Sequence, residues 1–278
     1  ARRNLKLVET MRSKEKRGSL LWVLDKTHTA MGGRMLRSWL EKPLLDPVEI
    51  GRSQSAVDEL VNDTITRGEL REALKYVNDL ERVMTRIVTG TVNGRELLSL
   101  AQGLRALPAI KNNLCAANAQ MLQRLGAAID DLQEFAAQIE NTLVDEPPIT
   151  IREGGLIRQG ADAEADRLRD IMNGGTGTIL QIEAEERAKT GIRTLKVSYN
   201  RVFGYYIEVS NSFKDKVPES FMRKQTLANC ERYITEELKN IENSILGAAE
   251  KILTLEAYIF EEIRKRVVKE IDRIKRAA

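Results

Sequence analysis

Leu238, Ile241, Ile245, Ala248, Ile252, Leu255 and Ile259 recur at alternating spacings of three and four, in a stretch that runs from Thr235 to residue 278 without a proline. That seam constrains the chain more than any other feature, because it requires a helix that buries one stripe against another helix. Beyond it Ile263, Val267, Ile271 and Ile274 continue at wider spacing, so the stripe drifts round the helix. Thr235 can cap the start, and Glu236 and Glu237 suit its positive dipole end. About 40 residues at 1.5 Å each give a rod of roughly 60 Å, which needs a partner. The helical text from about residue 162 to 189 offers Leu168, Met172, Ile179, Ile182 and Ala188. Within it, residues 174–177, Gly-Gly-Thr-Gly, read as a break or soft joint.

Between these two helical stretches the period changes. Thr194 to Tyr199 alternates with period two, and residues 205–209 are β-branched and aromatic. The turn-rich stretch 200–204 joins them as a hairpin loop. Further strands are expected at 221–227 and 232–234. Tyr199, Phe203, Tyr205, Tyr206, Phe213, Phe221 and Tyr233 crowd this region although aromatics make up only 5% of the chain. A small antiparallel sheet is expected, held at the tip of an antiparallel helix pair.

The first half reads as helices. Residues 18–40 form one candidate, with Gly32-Gly33 marking a close approach or a bend. Asp46-Pro47-Val48-Glu49 is a strong start, with Asp as N-cap, Pro in the first turn and Glu placed for a capping box. Further helices are expected at 67–89, 94–107 and 117–143, separated by Gly90, Asn93-Gly94, Pro108 and Asn112-Asn113. Pro147-Pro148 ends the block, and a small hairpin is expected around Glu153-Gly154-Gly155.

Several function classes are excluded or disfavoured. His28 is the only histidine, which removes multi-His metal sites and acid–base pairs. Neither a phosphate loop nor a dinucleotide fingerprint occurs. No run approaches 18 uncharged apolar residues, so no membrane partner is expected. Cys115 and Cys230 do not suggest a disulfide framework, which fits a cytoplasmic protein. The start, Ala-Arg-Arg-Asn, reads as the edge of an internal piece. Neither a catalytic residue nor a metal ligand is assigned.

Charge is more informative. Residues 193–235 hold eight Lys or Arg against four Asp or Glu, a net of +4, whereas the whole chain carries +3. Cationic charge beside Asn, Gln and Thr suits phosphate contact. A solvated strand face or a protein-docking tip on a helical interaction scaffold is the competing reading. Tyr205 or Tyr206 could stack bases, but one of the pair must face the sheet interior.

Three long stretches carry a resemblance. They are Gly18-Ser-Leu-Leu-Trp-Val-Leu-Asp25-Lys-Thr-His-Thr-Ala-Met-Gly32-Gly33-Arg34 with Pro43-Leu-Leu-Asp-Pro47, Gly191-Ile-Arg-Thr-Leu-Lys-Val-Ser-Tyr-Asn200 with Val202-Phe-Gly-Tyr-Tyr-Ile207, and Met222-Arg-Lys-Gln-Thr-Leu227 with Glu231-Arg-Tyr-Ile234. In this order the text resembles the MutS family of bacterial DNA mismatch-repair proteins over nearly its whole length. The resemblance implies a mainly α fold: an elongated helical core with long antiparallel lever helices carrying a small antiparallel β clamp at the tip. It implies a core at 1–160, lever helices at 161–192 and 236–278, and a clamp at 193–235. It also implies that the mismatch-reading domain and the ATPase, with its ATP and Mg, lie outside this chain, which is then not an enzyme. Phe260-Glu261-Glu262 matches the family's Phe-x-Glu motif only by coincidence. By position, the resemblance makes Asn200, Arg201, Arg223, Lys224 and Asn229 candidates for contact with the backbone of double-stranded DNA. A homodimer and other mismatch-repair proteins are the partners it implies for the full-length protein.

Overall fold

The computed structural model describes residues 5–10, 14–130, 132–200, 202 and 204–277, and of Thr176 the backbone alone. The chain folds as two compact units, Ala1–Thr150 with Phe260–Ala278, and Ile151–Ile259.

The first unit is helical, and local capping chemistry sets its breaks. Helix α1 (Leu20–Leu24) and α2 (Ala30–Glu41) replace the single helix expected over 18–40. The interruption falls at residues 25–29, where Asp25 binds Thr27 and Thr29 caps α2, and not at Gly32-Gly33. Those glycines lie in the first turn of α2, where a Cβ on Gly32 would come within 3.0 Å of the Thr29 hydroxyl. Helix α3 (Pro47–Asn62) starts as expected on Asp46, whose carboxylate accepts from Val48 N–H. Glu49 pairs with Arg52 instead of closing a capping box. A complete box forms at Asn93 and Glu96, at the head of α6.

The expected helix at 67–89 is two, α4 (Thr64–Leu74) and α5 (Leu80–Val88), because Asp79 caps a new start by accepting from Arg82 N–H. Conversely α6 (Gly94–Ala116) runs straight through Pro108 and Asn112-Asn113. Pro108 has no N–H for the carbonyl of Leu104. Gln133 Nε2 supplies the missing donor at 2.7 Å, so the helix continues. The expected helix at 117–143 is broken into α7 (Gln120–Ala128) and α8 (Gln133–Thr142), with Leu132 in the left-handed region between them. The core of this unit includes Leu80, Ile87, Leu97, Leu100, Leu104, Leu107 and Ile139, all essentially solvent-free.

The second unit opens with a 3-10 turn, Ile151–Glu153, in place of the expected hairpin. Gly154 and Gly155 both adopt positive φ, which bends the chain there without strand pairing. Helix α9 (Ala163–Thr190) is capped by Asp162 and stopped by left-handed Gly191. Its backbone is unbroken through residues 174–177, which corrects the expected joint. Gly175 sits where a Cβ would lie 2.5 Å from Ile245 Cγ1, so the glycine permits close helix packing and does not end the helix.

Four strands follow: β1 (Lys196–Asn200), β2 (Gly204–Ser210), β3 (Met222–Thr226) and β4 (Cys230–Ile234). All pairs are antiparallel, in the order β1-β2-β4-β3. Helix α10 (Glu236–Lys269) then starts with Thr235 accepting from Leu238 N–H. The long final helix is not one rod, since α10 is followed by a short α11 (Ile271–Ala277). One face of the sheet packs Ile207, Val209 and Tyr233 onto Ile179 of α9 and Leu238 of α10. Phe260 is buried within α10, so the Phe-x-Glu there serves packing.

Candidate nucleic-acid interface

The sheet is tied to both helices by carboxylates that accept backbone N–H groups. Glu183 on α9 accepts from Val197 N–H at 2.8 Å and pairs with Arg187 at 2.6 Å. Arg187 in turn donates to the carbonyl of Leu195 at 2.6 Å. On α10, Glu242 accepts from Tyr205 N–H at 3.2 Å. These contacts satisfy polar groups at the sheet margin that would otherwise be lost to burial.

Not all the cationic charge of residues 193–235 faces solvent. The Arg232 guanidinium lies 4.3 Å from the centroid of the Tyr206 ring and donates to Gln225 and Glu208 at 3.0 and 3.4 Å. Its charge is used inside the sheet. Tyr206 is buried, and Tyr205 packs into the apolar cluster with its ring 4.9 Å from Tyr199. Neither tyrosine is placed as a base-stacking platform.

Arg223 and Lys224 lie on β3. The register skips between Arg223 and Gln225, so Lys224 is the extra residue of a bulge, a device that re-aims a side chain. Arg223 keeps a side chain 63% exposed and approaches Glu231 at 3.5 Å. Glu231 also accepts the hydroxyl of Tyr233. Burial, then that carboxylate, pushes the Tyr233 phenol up to about 12, so it stays a donor. Arg223 is the solvent-facing partner of this pair and Glu231 the mostly buried one. Burial also raises the Cys230 thiol, with the Glu208 charge adding to it.

The other candidates are distributed along the sheet. Asn200 ends β1, and its Oδ1 accepts from Val202 N–H at 2.8 Å, an Asx turn that shapes the hairpin end. Arg201 lies outside the described residues. Lys224 lines the same surface hollow as Tyr199, Val202 and Gly204. Asn229 is exposed, in the β3–β4 loop near the other end of β2, where its carbonyl accepts from Asn211 N–H at 3.1 Å. The sheet thus brings Lys224 to the Asn200 hairpin and leaves Asn229 about 24 Å away, the length of seven strand residues. Lys196 and Arg193 add exposed charge. Sequence reasoning passed over Glu183, Glu242 and the Arg232–Tyr206 stack. The available signal was a Glu falling beside the buried seam of α10.

Fold and surface together define a class: a mainly helical protein with a small basic four-stranded antiparallel sheet packed on two long helices. A family model described as MutS domain III matches residues 1–278, and the chain belongs to that family. It is similar to proteins named DNA mismatch repair protein MutS from several bacteria. That from Ruminiclostridium cellulolyticum is 50% identical over all 278 residues, and that from Acetivibrio thermocellus 47% identical over 277. The relative from Symbiobacterium thermophilum is also 47% identical over 277 residues. The chain spans 32% of the length of each of these three relatives.

Proposed function

We propose that this chain is the core, lever and clamp part of a cytoplasmic DNA mismatch-repair protein, and that its sheet grips duplex DNA by the phosphate backbone without reading sequence. The core is assigned to 1–160, the lever helices to 161–192 and 236–278, and the clamp to 193–235. Arg201, Arg223 and Lys224 supply charge, and Asn200 and Asn229 donate hydrogen bonds to phosphate oxygens. The observation that carries this reading is the concentration of basic charge in residues 193–235, beside a sheet whose Tyr205, Tyr206 and Tyr233 are committed to packing. Such a surface can hold a polyanion. In the full-length protein the levers couple the nucleotide state of the ATPase to this grip, in a homodimer and with other mismatch-repair proteins. No step through ATP or Mg is assigned to this chain, because residues 174–177 lie inside α9 and do not form a phosphate cradle.

A titration of labelled duplex tests the reading. If about four phosphates are neutralised, affinity falls roughly a hundredfold between 50 and 200 mM salt. Salt-independent binding, or none at low salt, overturns it. A protein partner captured through the same sheet, with DNA affinity absent, would favour the helical interaction scaffold instead.

A further inference from the structure

At the β1–β2 hairpin end a buried carboxylate of α10 meets the backbone of β2. Glu242 is only 9% exposed, and its Oε1 accepts from Tyr205 N–H at 3.2 Å. The carboxylate also lies against the α-carbon of Gly204, where a Cβ would overlap Oε1 and fall 2.7 Å from Cδ. Gly204 has φ of +73°, so both the backbone conformation and the space require glycine. At the loop apex Val202 is 82% exposed. Among the described residues no cation pairs with Glu242. Burying a carboxylate without an ion pair is unfavourable unless its hydrogen bonds fix something.

We propose that Glu242 is the positioning residue of the clamp surface: it fixes the direction of the β1–β2 hairpin end relative to α10, and so places Asn200 for phosphate contact. The inference rests on the DNA-gripping reading for its functional half and on geometry alone for its structural half. Glu242 acts through the backbone of Gly204 and Tyr205, and it does so as a hydrogen-bond acceptor; its negative charge is incidental and opposes an approaching phosphate.

Three variants of the 278-residue chain separate these roles. Glu242→Gln keeps the acceptor and removes the charge, Glu242→Ala removes both, and Glu242→Asp withdraws the carboxylate by one methylene. Amide exchange at Tyr205 should accelerate about tenfold in Glu242→Ala, the effect of one lost buried hydrogen bond, and stay near native in Glu242→Gln. Duplex affinity at low salt should fall about three- to tenfold for Glu242→Ala and hold or rise for Glu242→Gln. If the Ala chain does not fold, Glu242→Asp is read in its place with the same expectation. Unchanged exchange at Tyr205 in the Ala variant, or equal loss of affinity in Ala and Gln, overturns the proposal. If the native chain binds no duplex, the DNA-gripping reading fails, and the exchange measurement alone decides whether Glu242 positions the hairpin.

Discussion

Glu256 is the most deeply buried charge among the described residues. With no exposure at all, it accepts from Leu156 N–H at 3.1 Å and pairs with Arg169 at 2.8 Å. Arg169 keeps Asp166 and the carbonyl of Ile157 as further partners. Removing the carboxylate leaves a buried N–H unpaired and takes one partner from a half-buried cation. Glu256→Ala should lower the urea midpoint of the unit Ile151–Ile259 by the equivalent of about 3 kcal/mol; a loss below about 1 kcal/mol would show that water replaces the carboxylate. In the other unit, the Arg34 guanidinium holds Asp79 below the usual carboxylate range. A carboxyl depressed in the folded state contributes stability above its unfolded pKa and loses it as pH falls through the folded one. Acid should therefore weaken this unit below about pH 4, the ordinary carboxylate value. Arg34→Met should flatten that dependence in a pH series of thermal melts, and an unchanged slope would assign the acid sensitivity elsewhere.

Helix α9 gives the clearest test among the elements, because three glycines in one turn have opposite surroundings. A Cβ at Gly174 or Gly177 meets nothing within 4 Å, whereas at Gly175 it meets Ile245 at 2.5 Å. Gly174→Ala and Gly177→Ala should each stabilise by up to about 1 kcal/mol through helix propensity. Gly175→Ala should destabilise by about 1–3 kcal/mol through overpacking against α10. Three thermal melts decide it, and a stabilising Gly175→Ala would mean that Ile245 simply turns aside. The same glycines show where the sequence was opaque. A cluster of poor helix formers reads as a break when the partner that needs the space is 70 residues away. Pro108 misled for the same reason, since Gln133 supplies its missing donor. Regular periods were legible: the α10 seam, the Asp46 and Thr235 caps and all four strands fell close to their expected positions. The excess of basic charge was also legible. What it could not reveal is that Arg232 spends its charge on Tyr206, or that the Lys224 bulge breaks the alternation from which outward-facing side chains would be read.

At the scale of the whole molecule, α10 belongs to both compact units, since the boundary at Ile259 and Phe260 falls inside it. In the unit Ile151–Ile259 Leu238 packs against the sheet, and in the other unit Val267 is free of solvent. If the basic sheet holds DNA through phosphates, as proposed, its grip must be electrostatic and indifferent to base pairing. The most direct test measures duplex affinity against salt for the native chain and for Arg223→Ala with Lys224→Ala, on matched and mismatched DNA. The slope of log K against log salt should be about −3.6 for the native chain and about −1.8 for the double variant, the same on both duplexes. An unaltered slope, or a loss confined to the mismatched duplex, would contradict the account.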